Sequence, residues 1–425
     1  MSHHEHITLI LIITLLASTP LATVISPNAS TQQEMTPTQT FETHEEYFKL
    51  AFSADGNHIA AISNETDTLT LFNRIDTLWN THVPGISSIA ISENASLIVA
   101  GANSGVYIFT TQNPTPQRRY DLNYPNPLIA LSNDASTLAY AATTMLYVIQ
   151  TGNQNPTWNT TLQGTLESLS IAGNGNYISA TTNHPGTLYL FSRQQPTPTW
   201  TYNLGENSGA TRLSHSGEYL IATGGNQTSQ NPTRIYRFRT QSALPNYIKI
   251  ISELASTQET ALSSDGSIFA INQAVSKRLI FFNLNLPPYG YGPGSVLNIS
   301  LPSKPTSISM SLDGKYTVVG TDNGIYLYQY QNRQLTLTKQ YTANTPSITD
   351  IAISGNGSHL AALGNTPQNS KNSAVYLFNL QETRDTPPNL LPQLTLLTIS
   401  IIIGSTAIIY TLRKKQKPQK PSSTT

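Results

Sequence analysis

The chain has 425 residues, with 23 Lys plus Arg balanced by 23 Asp plus Glu, and it contains no cysteine. The balanced charge excludes a net field that would attract nucleic acid or an anionic membrane face. The absence of cysteine excludes disulfides, thiolate metal sites and a cysteine nucleophile, and the length suits one large repeat domain or two ordinary ones.

The N-terminal segment is typical of a targeting signal. An apolar run at residues 7–16, followed by small residues and Pro20, predicts a signal peptide over residues 1–25, cleaved between residues 17 and 23. Because the apolar character continues to the end of this range, an uncleaved anchor is the alternative. The three histidines before the run belong to its flank and predict no metal site. Residues 26–38 are rich in Ser, Thr, Gln and Pro, which predicts a flexible leader.

A four-residue turn, repeated eight times, organises residues 39–380. In the first copy, Ser53-Ala54-Asp55-Gly56, the aspartate accepts hydrogen bonds from nearby backbone N–H groups and the glycine supplies a positive φ. The later copies begin at Ser92, Ser132, Ala172, Ser214, Ser263, Ser311 and Ser354, in steps of 39 to 49 residues. A period of about 40 residues predicts a propeller or a solenoid.

Each repeat reads as four short strands, which we name A, B, C and D in chain order, with the turn between strands A and B. Strand C is the most regular, and Tyr holds its second place in six of eight copies, as in Val106-Tyr107-Ile108-Phe109. Such aromatic and β-branched runs, apolar on both faces, predict strands packed between neighbouring blades. The sequence therefore predicts an all-β, eight-bladed β-propeller. The eighth repeat lacks a strand D, so we expect the N-terminal strand at residues 39–44 to close the last blade.

Two turns carry alanine, Ala95 and Ala135, where the other six carry glycine. A positive φ costs a residue with a Cβ atom roughly 1 kcal/mol. These two turns are therefore expected either to be strained or to move the positive φ to Asn94 and Asp134.

Over residues 39–380, the A–turn–B–C pattern resembles WD-repeat propellers and the related quinoprotein-like (PQQ-like) propellers of membrane-anchored prokaryotic surface proteins, those of archaea in particular. Tryptophans such as Trp158 and Trp200 resemble the residue that ends quinoprotein-type repeats. The Trp-Asp pair of WD repeats is replaced by pairs such as Phe72-Asn73, and the Gly-His pair is missing. The resemblance implies the fold and leaves the function open, because propellers host unrelated activities.

The C-terminal segment is typical of a membrane anchor. Residues 394–412 give 19 positions without a charge, followed at once by a basic cluster at 413–417. At about 1.5 Å per residue, such a helix spans most of a ~30 Å hydrocarbon core. We therefore predict a stalk at 381–391, a transmembrane helix at 392–412 and a basic cytoplasmic tail at 413–425, in a single-pass cell-membrane protein with its propeller outside. A buried helix of a soluble domain is the alternative.

The predicted topology gives the ring two rims. The A–B turns and C–D loops form one, called here the A–B rim, and the B–C and D–A loops form the other, the B–C rim. Both chain ends leave from the A–B rim. We therefore expect the A–B rim to face the membrane and the B–C rim to face outward.

Candidate recognition residues lie in the loops, because loops on a rigid scaffold usually carry recognition. The candidates for partner binding are Asn226, Asn231, Asn369 and Asn372 on the outward rim, and Tyr289 and Tyr291 on the membrane side. Solvated insertions are the alternative for the outward loops, and a stiff connector is the alternative for the tyrosine loop. The accessible glycosylation sequons are Asn64, Asn94, Asn226 and Asn356.

No residue pattern points to catalysis, a cofactor or a metal. The turn accounts for the repeated aspartates, and His58 and His359 share the repeat position of Tyr177, Tyr219 and Tyr316, which favours packing. The main hypothesis is therefore a non-enzymatic scaffold that binds a protein or a glycan, with no nucleic acid partner. The alternatives are a structural envelope component and a lactonase-like or quinone-dependent dehydrogenase-like enzyme at the channel mouth. The candidates for that enzyme are Glu206, Arg212, Glu253 and Asp350.

Overall fold

The computed structural model describes residues 33–43, 45–63, 65–122, 124–225, 233–251, 259–284, 296–342, 347–366 and 369–381. The predicted signal peptide, transmembrane helix and basic tail lie outside these ranges. Within them, no helical segment has the length and apolarity that a membrane crossing requires.

The described residues form strands that fall into four-stranded blades. Two strands precede the first blade: β1 (Gln33–Glu34) and β2 (Gln39–Glu42). Blade one contains β3 (Tyr47–Phe52), β4 (His58–Ser63), β5 (Thr68–Asn73) and β6 (Thr77–His82). Blade two contains β7 (Ile86–Ile91), β8 (Ile98–Ala102), β9 (Gly105–Thr110) and β10 (Asn113–Asp121). Blade three contains β11 (Leu128–Leu131), β12 (Thr137–Ala142), β13 (Met145–Gln150) and β14 (Trp158–Thr161).

The later blades repeat this plan. Blade four contains β15 (Thr165–Ile171), β16 (Tyr177–Asn183), β17 (Gly186–Ser192) and β18 (Trp200–Gly205). Blade five contains β19 (Ser208–Leu213), β20 (Tyr219–Gly224), β21 (Thr233–Arg239) and β22 (Pro245–Ile251). Blade six contains β23 (Thr260–Leu262), β24 (Ile268–Gln273), β25 (Arg278–Asn283) and β26 (Val296–Ser300). Blade seven contains β27 (Pro305–Met310), β28 (Tyr316–Thr321), β29 (Gly324–Gln331) and β30 (Gln334–Tyr341), and blade eight contains β31 (Ile348–Ile353), β32 (His359–Thr366) and β33 (Asn369–Asn379).

Eight sheets, each built on four antiparallel strands, confirm the predicted all-β, eight-bladed propeller. In blades one to seven, strands A to D follow one another across the sheet, and in blade eight the order is β2-β33-β32-β31. The predicted strand C motifs are the third strands, and their apolar residues are buried in clusters shared by adjacent blades. Alternating aromatic and β-branched residues therefore bury both faces of each blade.

The N-terminal residues contribute to two blades. β2 pairs antiparallel with β33, from Gln39 opposite Leu377 to Glu42 opposite Ala374. Upstream, within the segment for which composition predicts a flexible leader, β1 pairs in parallel with β30 as a fifth strand of blade seven. Met35 explains why this segment is ordered rather than flexible. Its side chain is buried, and its N–H donates to the Gln340 carbonyl at 2.6 Å.

Each A–B turn is closed by the same backbone hydrogen bond, in which the N–H of the fourth turn residue donates to the carbonyl of the first. In the first turn, the Asp55 carboxylate accepts from the Ser53 hydroxyl at 2.5 Å and from Asn57 N–H at 2.9 Å. Burial opposes ionisation, but these hydrogen bonds outweigh it and lower the pKa of Asp55. The pKa values of Asp134 and Asp265 are lowered in the same way. The repeated acids are therefore turn-forming groups, as the sequence predicts.

A ring of backbone hydrogen bonds joins all eight turns along the A–B rim. In every turn, the carbonyl of the second residue accepts from an N–H of the preceding turn. The donor and acceptor pairs are Asp55 to Glu93, Glu93 to Asn133, Asp134 to Gly173, Asn174 to His215, His215 to Ser264, Ser264 to Leu312, Leu312 to Gly355, and Gly355 to Ala54. The last bond, at 2.8 Å, links blade eight to blade one, so the series is continuous around the rim.

The two alanine turns keep the positive φ at alanine. Ala95 has a φ of 56° and Ala135 a φ of 59°, so the positive φ does not move to Asn94 or Asp134. The neighbouring blade holds this geometry, because the second residue of each turn is fixed by the ring of backbone bonds. The alanine turns are therefore the strained ones.

Ala95→Gly is expected to leave the free energy of unfolding unchanged or slightly higher. Relief of the left-handed strain, about 1–2 kcal/mol, offsets both the entropy of about 0.4–1 kcal/mol that glycine adds to the unfolded chain and the loss of the buried Ala95 methyl group, about 0.8 kcal/mol. Ala54→Gly is the matched control, because Ala54 occupies the second turn position and has no positive φ. Urea titration should show a loss for Ala54→Gly and no loss for Ala95→Gly, and a clear loss in both would contradict the strain argument.

Candidate functional site

The inner strands of the blades line a central channel, and one repeat position marks the mouth of this channel on the B–C rim. This position lies four residues before the first turn residue, near the start of strand A, and we call it the mouth level. Its occupants, from blade one to blade eight, are Lys49, Ser88, Leu128, Ser168, Ala210, Glu259, Ser307 and Asp350. Charged groups therefore stand here in blades one, six and eight.

The two carboxylates at the mouth level accept hydrogen bonds from the next blade. Asp350 Oδ2 accepts from the N–H of Leu50 at 2.9 Å, and Glu259 Oε2 accepts from the N–H of Ile308 at 3.1 Å. Each inner strand is the edge of its sheet, so its free N–H groups need acceptors from outside that sheet. Both acids thus join neighbouring blades.

Asp350 accepts two further hydrogen bonds. Its Oδ1 also accepts from the Ser307 hydroxyl at 2.9 Å and from its neighbour Ile351 N–H at 2.8 Å. Burial raises the pKa of Asp350 to about 6, the charge of Glu259 adds to this, and the three hydrogen bonds offset only part of it.

The residues predicted as candidates for an enzyme site lie partly on the channel strands and partly in a loop. Arg212 and Asp350 both lie on inner strands. Burial lowers the pKa of Arg212, opposed by the charge of Glu259, and its guanidinium donates to the carbonyl of Thr211 at 3.1 Å. Glu206 lies in the loop between β18 and β19. Glu253 lies outside the described residues. Across the ranges described, no group of three or more acidic or histidine side chains is placed to hold a metal ion.

A cavity of about 480 Å³ opens at the channel mouth between blades one, two and three. Its floor comes from the start of three inner strands, with Phe48, Lys49 and Leu128 among the lining residues. Its outer wall comes from the B–C turns and D–A loops, including Asp67, Asn103 and Asn126. The cavity is therefore a feature of the B–C rim.

Backbone contacts fix the outer wall of this cavity. Asp67 Oδ1 accepts from Gly85 N–H at 2.9 Å, and Asn103 Oδ1 accepts from Asn126 N–H at 3.3 Å. Asp67 has a φ of 53° and Asn126 also has a φ of 53°, a geometry that Asp and Asn tolerate better than most residues. The polar side chains at the mouth are thus positioned by the turns that carry them.

The predicted partner-binding loops are placed only in part. Asn226, Asn231, Tyr289 and Tyr291 lie outside the described residues, as does the sequon residue Asn64. Asn369 and Asn372 lie in β33 rather than in a loop. There β32 and β33 continue as a ribbon, with Asn365 opposite Ser373 and an irregularity before Thr366 meets Asn369. Polar composition suggested a loop at these positions, but backbone pairing extends the hairpin through them.

Two predicted sequons are described, and both lie on the A–B rim. Asn94 and Asn356 are exposed at the third turn position. Their side-chain oxygens accept from Ser96 N–H and Ser358 N–H, both at 3.0 Å. Their use as glycosylation sites remains a prediction.

His359 lies at the junction of blades eight and one. A Cβ atom added at Gly56, the turn glycine of blade one, would lie 3.2 Å from His359 Nδ1. Ser358 contacts the same nitrogen at 2.7 Å, and Arg74 contacts the other ring nitrogen at 3.0 Å. The half-buried ring therefore packs against the next turn, which agrees with the role predicted from its repeat position.

The cavity residues Lys49, Asp67, Asn103 and Asn126 do not stand out in the sequence. They come from two repeats and from three kinds of segment, so no local motif contains them. Aligning the strand A positions would single out Lys49, because a positive charge stands at the mouth level only in blade one.

Solved structures similar to this chain include propellers. The C-terminal WD40 domain of Sif2 matches with a TM-score of 0.66 and 9% identity, over 82% of this chain and 99% of that one. The Dos1 propeller matches with a TM-score of 0.62 and 13% identity, over 80% and 94%. A chain of a mitotic checkpoint complex matches with a TM-score of 0.52 and 13% identity, over 83% and 94%. No protein-family model matches the chain, and no curated protein matches it in sequence. At these identities the likeness establishes a WD40-type propeller fold.

Proposed function

We propose that this protein is a membrane-tethered propeller, held outside the cell, that binds a protein or glycan partner through its B–C rim as a non-enzymatic scaffold. The difference between the two rims carries the proposal. The A–B rim is built from eight similar turns whose second-residue carbonyls already accept hydrogen bonds from backbone N–H groups of the preceding turns. The B–C rim carries the mouth cavity and turns of varied sequence.

Three further observations support the parts of this proposal. The uncharged run at residues 394–412, with its basic flank, supports the tether and its orientation. The similar chain in a mitotic checkpoint complex belongs to a protein assembly, which supports scaffolding. The pairing of β2 with β33 supports closure of the ring by the N-terminal strand, and such closure gives a rigid platform.

Single-cysteine variants test the tether and the binding rim together, because the chain contains no cysteine of its own. Asn126→Cys, Asn94→Cys and Thr425→Cys would place the label on the B–C rim, the A–B rim and the tail. Intact cells are treated with a membrane-impermeant maleimide that carries a photocrosslinker. We expect labelling at positions 126 and 94 but at position 425 only after permeabilisation, and a crosslinked partner only from position 126.

Each readout of this experiment contradicts a different part. Labelling of position 425 in intact cells would overturn the orientation. Crosslinks from position 94 with none from position 126 would overturn the choice of rim.

A further inference from the structure

We infer that the mouth cavity binds an acidic side chain of an extended segment of a protein partner, with the Lys49 ammonium group as its counter-charge. This inference rests on the proposed function, because the cavity lies on the rim assigned to the partner. It adds the chemical class of the group that is bound.

The carboxylates at the mouth level are bonded elsewhere, so neither accepts a hydrogen bond from Lys49. Its side chain is exposed at the cavity, and within the described residues it takes part in no hydrogen bond or ion pair. The carboxylates at the same level, Asp350 and Glu259, accept from backbone N–H groups of blades one and seven. The ammonium group is therefore available to a carboxylate from outside the chain.

The other polar groups favour the same ligand. Asn103 uses its side-chain oxygen to accept from Asn126 N–H, which leaves the Asn103 amide N–H₂ as a donor toward the cavity. Asp67 supplies the one carboxylate of the lining, and one of its oxygens already accepts from Gly85 N–H. A carboxylate bound near Lys49 would thus be attracted by two donors, the Lys49 ammonium and the Asn103 amide, and repelled by the Asp67 carboxylate.

The apolar part of the lining favours a peptide over a glycan. Phe48 and Leu128 are half-buried and add aromatic and aliphatic surface to the lining, whereas Ile86 and Pro127 are buried behind it. The methylene groups of a glutamate side chain can pack on this surface, whereas a sugar ring carries a hydroxyl group on most of its carbons and would need more polar partners. The lining hydroxyls of Ser87 and Ser88 already donate to backbone carbonyls. A volume of about 480 Å³ holds one such side chain and the backbone on either side of it.

The test measures binding of a fluorescein-labelled hexaglutamate peptide to the full chain by anisotropy, with hexaglutamine as the neutral probe and hexagalacturonate as the acidic glycan probe. We expect hexaglutamate to bind, hexaglutamine not to bind, and Lys49→Met to weaken hexaglutamate binding at least about tenfold. Asp67→Asn should strengthen it about threefold or more, because it removes the repulsive charge while the Asn oxygen can still accept from Gly85 N–H. A gain of affinity in one variant and a loss in the other cannot arise from damage to the fold.

The matched control is Lys304→Met, which removes an exposed lysine of the same rim in the loop before β27. Its affinity for hexaglutamate should equal that of the unaltered chain. Equal binding by all three variants, or no binding of hexaglutamate at all, would overturn the inference. Binding of hexagalacturonate alone would overturn the assignment to a peptide. The crosslinking result at position 126 is independent of these outcomes, so failure here is distinguishable from failure of the proposed function.

Discussion

Replacing Gln39–Glu42 with Gly-Ser-Gly-Ser in the full chain is expected to lower the free energy of unfolding by about 3–5 kcal/mol. Phe41 is the main reason: its ring lies 4.9 Å from the ring of Phe72, so it joins blade eight to blade one. Loss of a partly buried Phe side chain contributes about 2–3 kcal/mol. The introduced glycines and serines form strands poorly and weaken the pairing with β33, which contributes most of the remaining loss of free energy.

The matched control is the same exchange in β1, where Gln33 and Glu34 are both exposed. Gly-Ser at these two positions should cost less than about 1 kcal/mol. Urea unfolding followed by the fluorescence of the three tryptophans gives both values. Equal, small losses in the two variants would show that the outer strand of blade eight contributes little to closure of the ring.

Asp350 is expected to make the protein less stable as the pH rises from about 4 to about 7. Its folded pKa of about 6 lies above the unfolded value of 3.8, so the folded state holds the proton more tightly. Stability from this group is therefore fully present below pH 4 and is lost as the pH rises through 6. The difference corresponds to about 3 kcal/mol.

Asp350→Asn removes this titration. The unfolding free energy of the unaltered chain, minus that of the variant, should therefore fall by about 3 kcal/mol between pH 4 and pH 7. Taking this difference cancels the titration of His58 and His359, whose pKa values burial lowers and which act in the opposite direction.

Asp265→Asn supplies the contrast. Hydrogen bonds from Ser263 and Ser267, acting against burial, lower the pKa of Asp265. The stability from Asp265 is present above pH 4 and lost as the pH falls, so its difference curve should have the opposite sign. A flat difference curve for Asp350→Asn would mean that its carboxylate is better solvated than its surroundings indicate.

Local patterns made the fold predictable from the sequence. A hairpin turn depends on four neighbouring residues, and a strand that packs on both faces can be recognised from about six consecutive residues. The turn period therefore predicts eight blades, and the missing strand D in the last repeat directs attention to the N-terminal segment. The same locality identified the turn aspartates and the packing role of His359.

The candidate site was not predictable in this way. Asp350 and Leu50 are 300 residues apart in the chain, and only closure of the ring brings them into hydrogen-bonding contact. The cavity that joins Lys49 to Asn126 depends on how blades one, two and three pack on one another, and β1 pairs with β30 from near the other end of the described chain.

The sequence by itself thus determined the repeat, the number of blades and the place of the turns, because hairpins and strand burial depend on neighbouring residues. Only the tertiary structure decided which polar side chains form hydrogen bonds between blades and which, like that of Lys49, stay exposed at the channel mouth. That depends on what each blade presents to the next, and those residues are distant in the chain.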